Sequence, residues 1–231
     1  MGKRIIQQAR GHGSKTYRVR NAAFKFHVGY IHNLEGNYDV VKLENSSGHT
    51  CPLAKFNGKN GAFYNFAVDG LYEGQKITFG GQNPGDISRL GDLPTTTKVF
   101  NIELRPNDGG KIIKTSGNSG VILNKNEKTV TVLLPSKQEK EFDVNCRATI
   151  GIIAGQGRLD KPILKAGKNH FIKKTKSKLW PRTSAVKMNA IDHPFGSGRG
   201  KRPKSKIAKK NAPAGRRVGL LRPRRTGRRK K

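Results

Sequence analysis

The chain has few acidic residues, few cysteines and no long apolar run. Of its 231 residues, 15 are Asp or Glu and two are cysteine, Cys51 and Cys146. These two lie far apart without a Cys-x-x-Cys motif, and the histidines and acids show no zinc or EF-hand spacing. No run approaches about 18 apolar residues, and the N-terminus lacks the apolar segment of a signal peptide. We therefore expect a cytoplasmic protein with no metal, no cofactor, no disulfide framework and no membrane contact.

Basic residues, by contrast, are abundant and concentrated at the two ends. Lys and Arg total 47, and the net charge is +32. Residues 1–25 hold seven basic groups and no acid, residues 26–160 hold 15 basic and 14 acidic groups, and residues 161–231 hold 25 basic groups and one acid. Charge of one sign on this scale indicates a polyanionic partner. The partition predicts a nearly neutral globular core between two basic extensions.

The core contains short segments separated by turn signals, which predict hairpin-connected strands. The first set of predicted strands comprises residues 38–44, 51–56, 62–68 and 75–79. The second set comprises residues 98–104, 112–114, 121–124, 129–134, 139–144 and 147–153. Phe24–Tyr30 also alternates and predicts a further half-buried strand. Gly80–Pro94 holds two prolines and four glycines, as is typical of a linker.

Helical periodicity is nearly absent, so the predicted fold is mainly β, with two small β-barrels and long basic, extended N- and C-terminal segments. We place the basic N-terminal extension at residues 1–25 and the first barrel at residues 26–82. The second barrel follows at residues 83–160, and the basic C-terminal extension covers residues 161–231.

Several local motifs have a simple structural interpretation beside a functional one. Pro106–Lys111 is a turn by composition, yet a glycine turn that bears a lysine also lets the backbone approach a phosphate closely. No phosphate-binding Gly-x4-Gly-Lys motif occurs, which argues against a nucleotide site. Cys146 in Asn145–Gly151 reads as a small buried hydrophobe rather than a nucleophile. Arg147 beside it is the better functional candidate.

Two residues of the C-terminal region remain open to alternatives. Trp180, flanked by Lys178 and Arg182, is either a packing anchor or a surface on which a base or ribose stacks. His193, next to Asp192, suggests a turn, an RNA-contacting loop or, least favoured, general-base chemistry. Consecutive residues rarely supply the geometry of a catalytic triad, so we predict no catalytic residue and no enzyme activity.

A series of motifs in order then identifies a family resemblance. The motifs are Gly2-Lys3-Arg4-Ile5, Arg10-Gly11, Thr16-Tyr17-Arg18, Pro52-Leu53-Ala54-Lys55, Asn101-Ile102-Glu103, Gly109-Gly110-Lys111, Cys146-Arg147-Ala148-Thr149-Ile150-Gly151, Lys165-Ala166-Gly167, Met188-Asn189 and Asp192-His193-Pro194-Phe195-Gly196. With these, nearly the whole chain resembles the universal large-ribosomal-subunit protein two family in its archaeal and eukaryotic form.

The resemblance implies an OB-like barrel, then a Src-homology-three-like barrel, then an extension that reaches towards the peptidyl-transferase region. It implies large-subunit rRNA and neighbouring ribosomal proteins as partners of a single copy of the chain. The implied roles are subunit association and tRNA placement in translation. For His193, the resemblance favours a structural role beside catalytic RNA.

The chain departs from the family pattern at several positions. Where the family uses an arginine against RNA before the Pro-Leu-Ala-Lys run, this chain has His49, and Lys114 replaces a second such arginine. Lysine keeps the charge but loses the planar fork of arginine, and a neutral histidine loses both. Ser184-Ala185 replaces an Arg-Gly pair, and Ser197 interrupts a triple glycine, so both alter the surroundings of His193.

Charge distribution and resemblance together give a set of predicted rRNA-binding residues. They are Arg4, Arg10, Arg18, Lys111, Lys114, Arg147, Lys165, Lys168, Trp180, Asn189, His193 and Arg199. Two rival functions are a chromatin-like DNA binder or RNA chaperone, since basic tails alone do not select a nucleic acid, and a transferase that uses His193.

Overall fold

The computed structural model describes residues 2–198 and 207–223. The chain divides into two compact units, one comprising Met1–Val19 with Ala166–Lys231 and the other comprising Arg20–Lys165. We name them the terminal unit and the β unit, because both sheets of the described chain lie in the second. The domain boundaries predicted above stay a prediction.

The first sheet of the β unit has four antiparallel strands in the order β3-β2-β1-β4. They are β1 (Asn37–Glu44), β2 (Leu53–Gly58), β3 (Gly61–Phe66) and β4 (Lys76–Thr78). Tyr38 and Val40 of β1 are buried while their neighbours in sequence are exposed, so alternation turns one face towards the core. A Gly58–Gly61 pair closes a tight hairpin around Lys59-Asn60, where the sequence predicts a turn.

The second sheet has six antiparallel strands in the order β5-β10-β6-β7-β8-β9. They are β5 (Ile87–Arg89), β6 (Lys98–Phe100), β7 (Gly120–Lys125), β8 (Thr129–Leu133), β9 (Glu139–Asp143) and β10 (Arg147–Ile150). In β8, Val130 and Val132 are fully buried between partly exposed threonines, which is the alternation read from the sequence. The chain is therefore mainly β, as predicted.

Neither sheet closes into a continuous barrel within the residues that the structure describes. The edge strands are β3 and β4 in the first sheet and β5 and β9 in the second. The edge strands β4 and β5 are each three residues long. Between these two edges, the backbone pairing is a single parallel bridge between Phe79 and Ile87. Such short edges leave too few ladder hydrogen bonds to complete a barrel.

Apolar side chains form a core under each sheet and a third cluster between them. Val40, Phe56 and Ile77 belong to the first core, and Ile122 and Val132 to the second. The third cluster comprises Cys51, Leu53, Phe66, Val68, Phe100 and Ile153, which come from both sheets. We call this third cluster the seam. It makes the two sheets parts of one compact unit.

A chain of buried polar groups also crosses the seam. The Tyr30 hydroxyl donates to the Asn101 carbonyl at 2.9 Å and lies 2.7 Å from Thr149 Oγ1. Asn65 Nδ2 donates to Thr149 Oγ1, and Asn101 Nδ2 donates to Asn65 Oδ1, each at 2.9 Å. Because buried polar groups are costly when unpaired, these contacts fix how the two sheets pair.

Three parts of the predicted secondary structure need correction. Phe24–Tyr30 is not a strand: Asn21–Phe24 is a 3-10 turn, and Val28 makes an isolated bridge to Tyr64. Gly80–Pro94 is more than a linker, because it contains β5 and a 3-10 turn at Leu90–Asp92. The basic ends are not wholly extended, since both contain short helices.

The terminal unit brings the N-terminal residues against the C-terminal segment. Its helices are α1 (Ile6–Ala9) and α2 (Ala166–Thr175), with 3-10 turns at Arg10–His12 and Ala185–Lys187. Lys3 N donates to the Ile191 carbonyl at 2.8 Å, and Lys3 Nζ lies 3.8 Å from Asp192 Oδ1. Ile5 is buried although its neighbours are exposed. The basic N-terminal end thus docks beside the Asp192-His193 loop.

Candidate nucleic-acid interface

A groove of about 560 Å³ opens on the surface of the β unit. One wall is the segment from Phe24 to Tyr30 with His32 and His49, and the other is the turn Asn107–Lys111 with Lys114. Tyr30 N donates to the Gly109 carbonyl at 3.1 Å and joins the two walls. Three lysines and one acid, Asp108, line the groove, so its charge favours an anion.

The buried carboxylate of Glu103 holds the turn wall in place. Asn107 N donates to Glu103 Oε2 at 3.2 Å, and Gly109 N donates to Oε1 at 3.0 Å. Asp108 accepts hydrogen bonds from the backbone N–H groups of Leu104 and Gly110, both at 3.1 Å. Gly109 and Gly110 have φ angles of +82° and +88°, in the left-handed region that favours glycine. The turn interpretation of this motif is confirmed, and the turn presents Lys111 to solvent.

Arg147, which the sequence analysis names as a candidate rRNA contact, lies inside the fold. Its side chain donates from Nε and Nη2 to Glu103 Oε1 at 3.1 and 2.7 Å. Nη1 donates to the carbonyls of Ile31 and His32 at 2.7 and 3.2 Å. Arg147 is only 4% exposed, and its guanidinium is occupied within the fold, so its contact with rRNA stays a prediction.

Lys114 and His49, the two positions where the family has arginine, both line the groove. Lys114 Nζ donates to the Gly110 carbonyl at 3.2 Å and lies 5.6 Å from the Phe66 ring centroid. Burial, and next the charge of Lys111, lower the pKa of Lys114. The pKa of His49 is lowered by burial and then by Lys114. His49 is therefore neutral at pH 7, and the lysines supply the positive charge of the groove.

The predicted contacts in the basic ends lie mostly on the surface. Arg4, Arg10 and Arg18 are exposed, and the Arg10 guanidinium lies 6.0 Å from the Tyr17 ring centroid. Lys165 is exposed too. Exposed cations of this kind can reach phosphates without breaking contacts of the fold.

Helix α2 and the residues after it carry two further predicted contacts. Lys168 is exposed on α2, which has no buried side chain. Trp180 is half-buried, and its ring centroid lies 6.4 Å from that of His170 on the same helix. The indole therefore packs on the helix while part of its surface stays in solvent, so the packing and stacking interpretations both remain open.

His193 lies in a tight loop that uses one of its ring nitrogens. The backbone N–H groups of Asp192 and His193 donate to the Asn189 carbonyl at 3.0 and 3.2 Å. Phe195 N donates to His193 Nδ1 at 3.0 Å, so this ring nitrogen serves as an acceptor within the loop. His193 is 7% exposed, whereas the Asn189 side chain is exposed. The loop geometry favours the structural interpretation of His193.

Glycine and serine shape the end of this loop. A Cβ at Gly196 would overlap the Asn189 carbonyl, so the close turn requires glycine there. Ser197 has a φ of +64°, a left-handed conformation that costs a non-glycine residue about 1 kcal/mol. The position where the family has glycine is thus strained in this chain. Arg199, another predicted contact, lies outside the described residues.

The sequence did not single out Glu103 or Phe24 for a role in the groove. Glu103 appeared only within a family motif, and nothing local indicated that its partner would be Arg147. A weak signal for Phe24 was available, since it belongs to an aromatic segment that includes Lys25 and lies next to the basic N-terminal end.

Residues 2–198 and 207–223 contain neither a metal-binding cluster nor a membrane-spanning helix. No group of three or more His, Cys, Asp or Glu side chains there has the arrangement to hold a metal ion. None of the helices in the same residues is long and apolar enough to cross a membrane.

Comparison with known proteins extends the resemblance to the full length. Residues 83–215 match the family described as Ribosomal Proteins L2, C-terminal domain. The large ribosomal subunit protein uL2 of Archaeoglobus fulgidus is 41% identical over 235 residues, which cover 98% of this chain and 99% of the relative. The large ribosomal subunit protein uL2 of Hyperthermus butylicus is 41% identical over 246 residues, which cover all of both chains.

Proposed function

The chain belongs to the ribosomal protein L2 family, and from that premise we propose that it is a structural constituent of the large ribosomal subunit that binds large-subunit rRNA. The observation that carries the proposal is similarity over the full length to two proteins named for that subunit. The role is structural and not enzymatic. Neighbouring ribosomal proteins are the other proposed partners of a single copy.

The basic ends and the β unit have different roles in binding. The exposed cations of the ends neutralise phosphates and release counterions, which makes affinity steeply salt-dependent. About 6–10 phosphate contacts lower affinity roughly 10³- to 10⁵-fold between 50 and 200 mM salt. The β unit, whose residues 26–160 carry 15 basic and 14 acidic groups, positions the protein on the RNA through the groove between Phe24–Tyr30 and Asn107–Lys111.

The finer placement within the subunit follows from the Asp192–Gly196 motif. We propose that the terminal unit lies near the peptidyl-transferase region and supports tRNA placement and subunit association. A closed loop with a buried His193 supports a structural task there, because its Nδ1 is already engaged. Replacement of His193 by Ala in reconstituted subunits should leave the chemical step of peptidyl transfer intact, and loss of that step would favour the transferase alternative.

Association with the large subunit is the direct test. The tagged full chain, expressed in cells, should sediment with the large subunit in a sucrose gradient and remain there after a moderate salt wash. Its release into the light fractions at low salt would contradict the proposal. Competition between duplex DNA and structured large-subunit rRNA addresses the DNA-binding alternative: duplex DNA should compete weakly.

The role of the ends is tested by charge neutralisation in the full chain. Replacing Arg4, Arg10 and Arg18 by Gln should lower the salt slope of rRNA binding by roughly 2–3. The matched control replaces three exposed lysines of the β unit outside the groove, Lys128, Lys137 and Lys140. Equal slopes for the two triple variants would show that the N-terminal end is not at the interface.

The groove is tested at Lys114. Lys114→Arg restores the planar fork and should tighten binding of an rRNA fragment, because arginine pairs with a phosphate through two parallel hydrogen bonds. Lys98→Arg, at an exposed position outside the groove, is the control. An unchanged affinity for Lys114→Arg would remove this position from the interface.

A further inference from the structure

Phe24 is an exposed aromatic side chain that the fold holds in a fixed place. It is 45% exposed, yet its neighbour Ala23 is buried. Gly48 N donates to the Ala23 carbonyl at 2.7 Å, which docks the turn Asn21–Phe24 onto the loop that carries Gly48. A Cβ at Gly48 would overlap the Ala23 carbonyl and lie 2.9 Å from Phe24 Cδ1, so only glycine allows this close approach of the turn and its ring. The ring is held in position although nearly half of its surface is in solvent.

The surroundings of the ring are aromatic and cationic. Phe24 lines the groove and packs nearly perpendicular to His49, with ring centroids 5.0 Å apart. Lys25 and Lys111 line the same groove and are exposed. Exposed aromatic rings beside lysines in a concave surface are the combination by which proteins bind single-stranded nucleic acid.

We propose that the groove binds one unpaired nucleotide of RNA, with its base stacked on Phe24 and its phosphates near Lys25 and Lys111. The inference deepens the proposed function and rests on it, since rRNA supplies the nucleotide. It adds a contact with a base to the phosphate contacts proposed for the basic ends. A base inside a duplex has no free face, so the occupant comes from a loop, a bulge or a single-stranded junction.

Asp108 favours a base over a phosphate alone as the occupant. Asp108 lines the groove, and its negative charge would repel a phosphate placed beside it. Each of its oxygens accepts one backbone N–H and can accept another hydrogen bond. The amino groups of adenine, guanine and cytosine are suitable donors, and the Asn107 side chain lines the same wall. The lysines therefore provide positive charge for the phosphates of the nucleotide. Asp108 and Asn107 provide hydrogen-bonding groups for its base.

Two variants of the full chain test the stacking contact. Phe24→Ala should weaken binding of a large-subunit rRNA fragment roughly 5- to 150-fold, the range for one stacked base, with an unchanged salt slope. Phe24→Tyr should retain most of the affinity. Phe24→Leu should lose affinity while it keeps the packing against Gly48, and it separates stacking from a folding defect. Tyr72→Ala is the control, because Tyr72 is 64% exposed and does not line the groove.

Direct evidence comes from short probes. A hexaribonucleotide that contains 5-iodouridine should crosslink under ultraviolet light to the peptide that contains Phe24. An adenine hexamer should bind wild type more tightly than an abasic ribose-phosphate hexamer of equal charge, and Phe24→Ala should remove the difference.

Several outcomes would overturn the inference while the proposed function stands. These are equal binding of the abasic and adenine hexamers, equal effects of Phe24→Ala and Tyr72→Ala, or crosslinks confined to other peptides. In each of these, wild type would still bind rRNA fragments and sediment with the large subunit. Failure of wild type in those two assays would instead reject the proposed function.

Discussion

The Arg147 guanidinium and the Glu103 carboxylate form a 2.7 Å ion pair inside the β unit, where their side chains are 5% and 0% exposed. The pair joins three separate parts of the chain. Glu103 receives backbone N–H groups of the turn at Asn107–Lys111, and Arg147 donates to the carbonyls of Ile31 and His32. Both walls of the groove thus depend on one buried contact.

Breaking this pair should be strongly destabilising. Arg147→Met should lower the free energy of unfolding by about 3–5 kcal/mol, because it leaves the Glu103 carboxylate buried without its cation. Guanidinium chloride unfolding followed by circular dichroism measures the change. Arg89→Met is the control, because Arg89 lies opposite Arg147 in the strand register and is exposed. A difference below about 0.5 kcal/mol between the two variants would contradict the importance of the pair.

The seam hydroxyl of Tyr30 should also contribute to stability. Tyr30→Phe removes the donor to the Asn101 carbonyl and the partner of Thr149 Oγ1, at an expected loss of about 1–3 kcal/mol. The exposed Tyr72→Phe provides the comparison in thermal or denaturant unfolding. Equal stability of the two variants would mean that the polar chain across the seam is energetically neutral.

Tyr30 should further make stability depend on alkaline pH. Burial, the largest influence, raises its pKa above the ordinary value near 10. Above pH about 10 the unfolded tyrosine ionises first, so Tyr30 stabilises the fold fully below that pH and progressively less above it. Tyr30→Phe should therefore show a shallower loss of stability between pH 10 and 11 than wild type. Parallel curves for the two proteins would contradict this expectation.

Both cysteines should be unreactive in the folded protein. Burial raises the pKa of Cys51 and that of Cys146 to about 11. At pH 8 this leaves roughly 100-fold less thiolate than an ordinary cysteine would have, and the side chains are also closed off from reagents. A thiol-reactive chromophore should report no fast reaction in native buffer and two thiols in denaturant. Rapid labelling of either cysteine in native buffer would show that its surroundings open.

Ser197 provides an opportunity for stabilisation. Ser197→Gly removes left-handed strain and should slow hydrogen exchange of the position-197 amide, which donates to the Met188 carbonyl, by up to about fivefold. Gly196→Ala should act in the opposite direction, because its Cβ would overlap the Asn189 carbonyl. Exchange rates measured by nuclear magnetic resonance distinguish the two. Faster exchange in Ser197→Gly would show that the serine side chain supports the loop.

Most strands were predictable because alternation and turn signals are local properties. The segment 129–134 predicted β8 within one residue, and the turn around Lys59-Asn60 marked the first hairpin. Phe24–Tyr30 alternates too, but a strand also needs a partner in register, and only Val28 finds one. Alternation reports which side chains face inward, and it does not report whether a neighbouring strand is present.

The strand within Gly80–Pro94 and the burial of Arg147 have a shared cause in long-range contacts. Ile87 and Leu90 are buried because β5 pairs with β10, some 60 residues later, and composition alone gives no sign of that pairing. Arg147 is buried because Glu103, 44 residues earlier, neutralises it. A surface arginine and a paired interior arginine look the same in a sequence. Lys111 and Lys114, in contrast, do line the groove, and their contact with rRNA stays a prediction.

The seam has a consequence for synthesis of the chain. Arg147 Nη1 lies 116 residues after the Ile31 carbonyl that it binds, and Thr149 follows Tyr30 by 119 residues. At about 5–20 residues per second, translation needs roughly 6–23 s to cover that distance. A nascent chain in that interval has made Leu53 and Phe66 but not Ile153, their partner in the seam. Until β10 leaves the exit tunnel, the first sheet presents an uncovered apolar edge, which is the surface that a chaperone would shield.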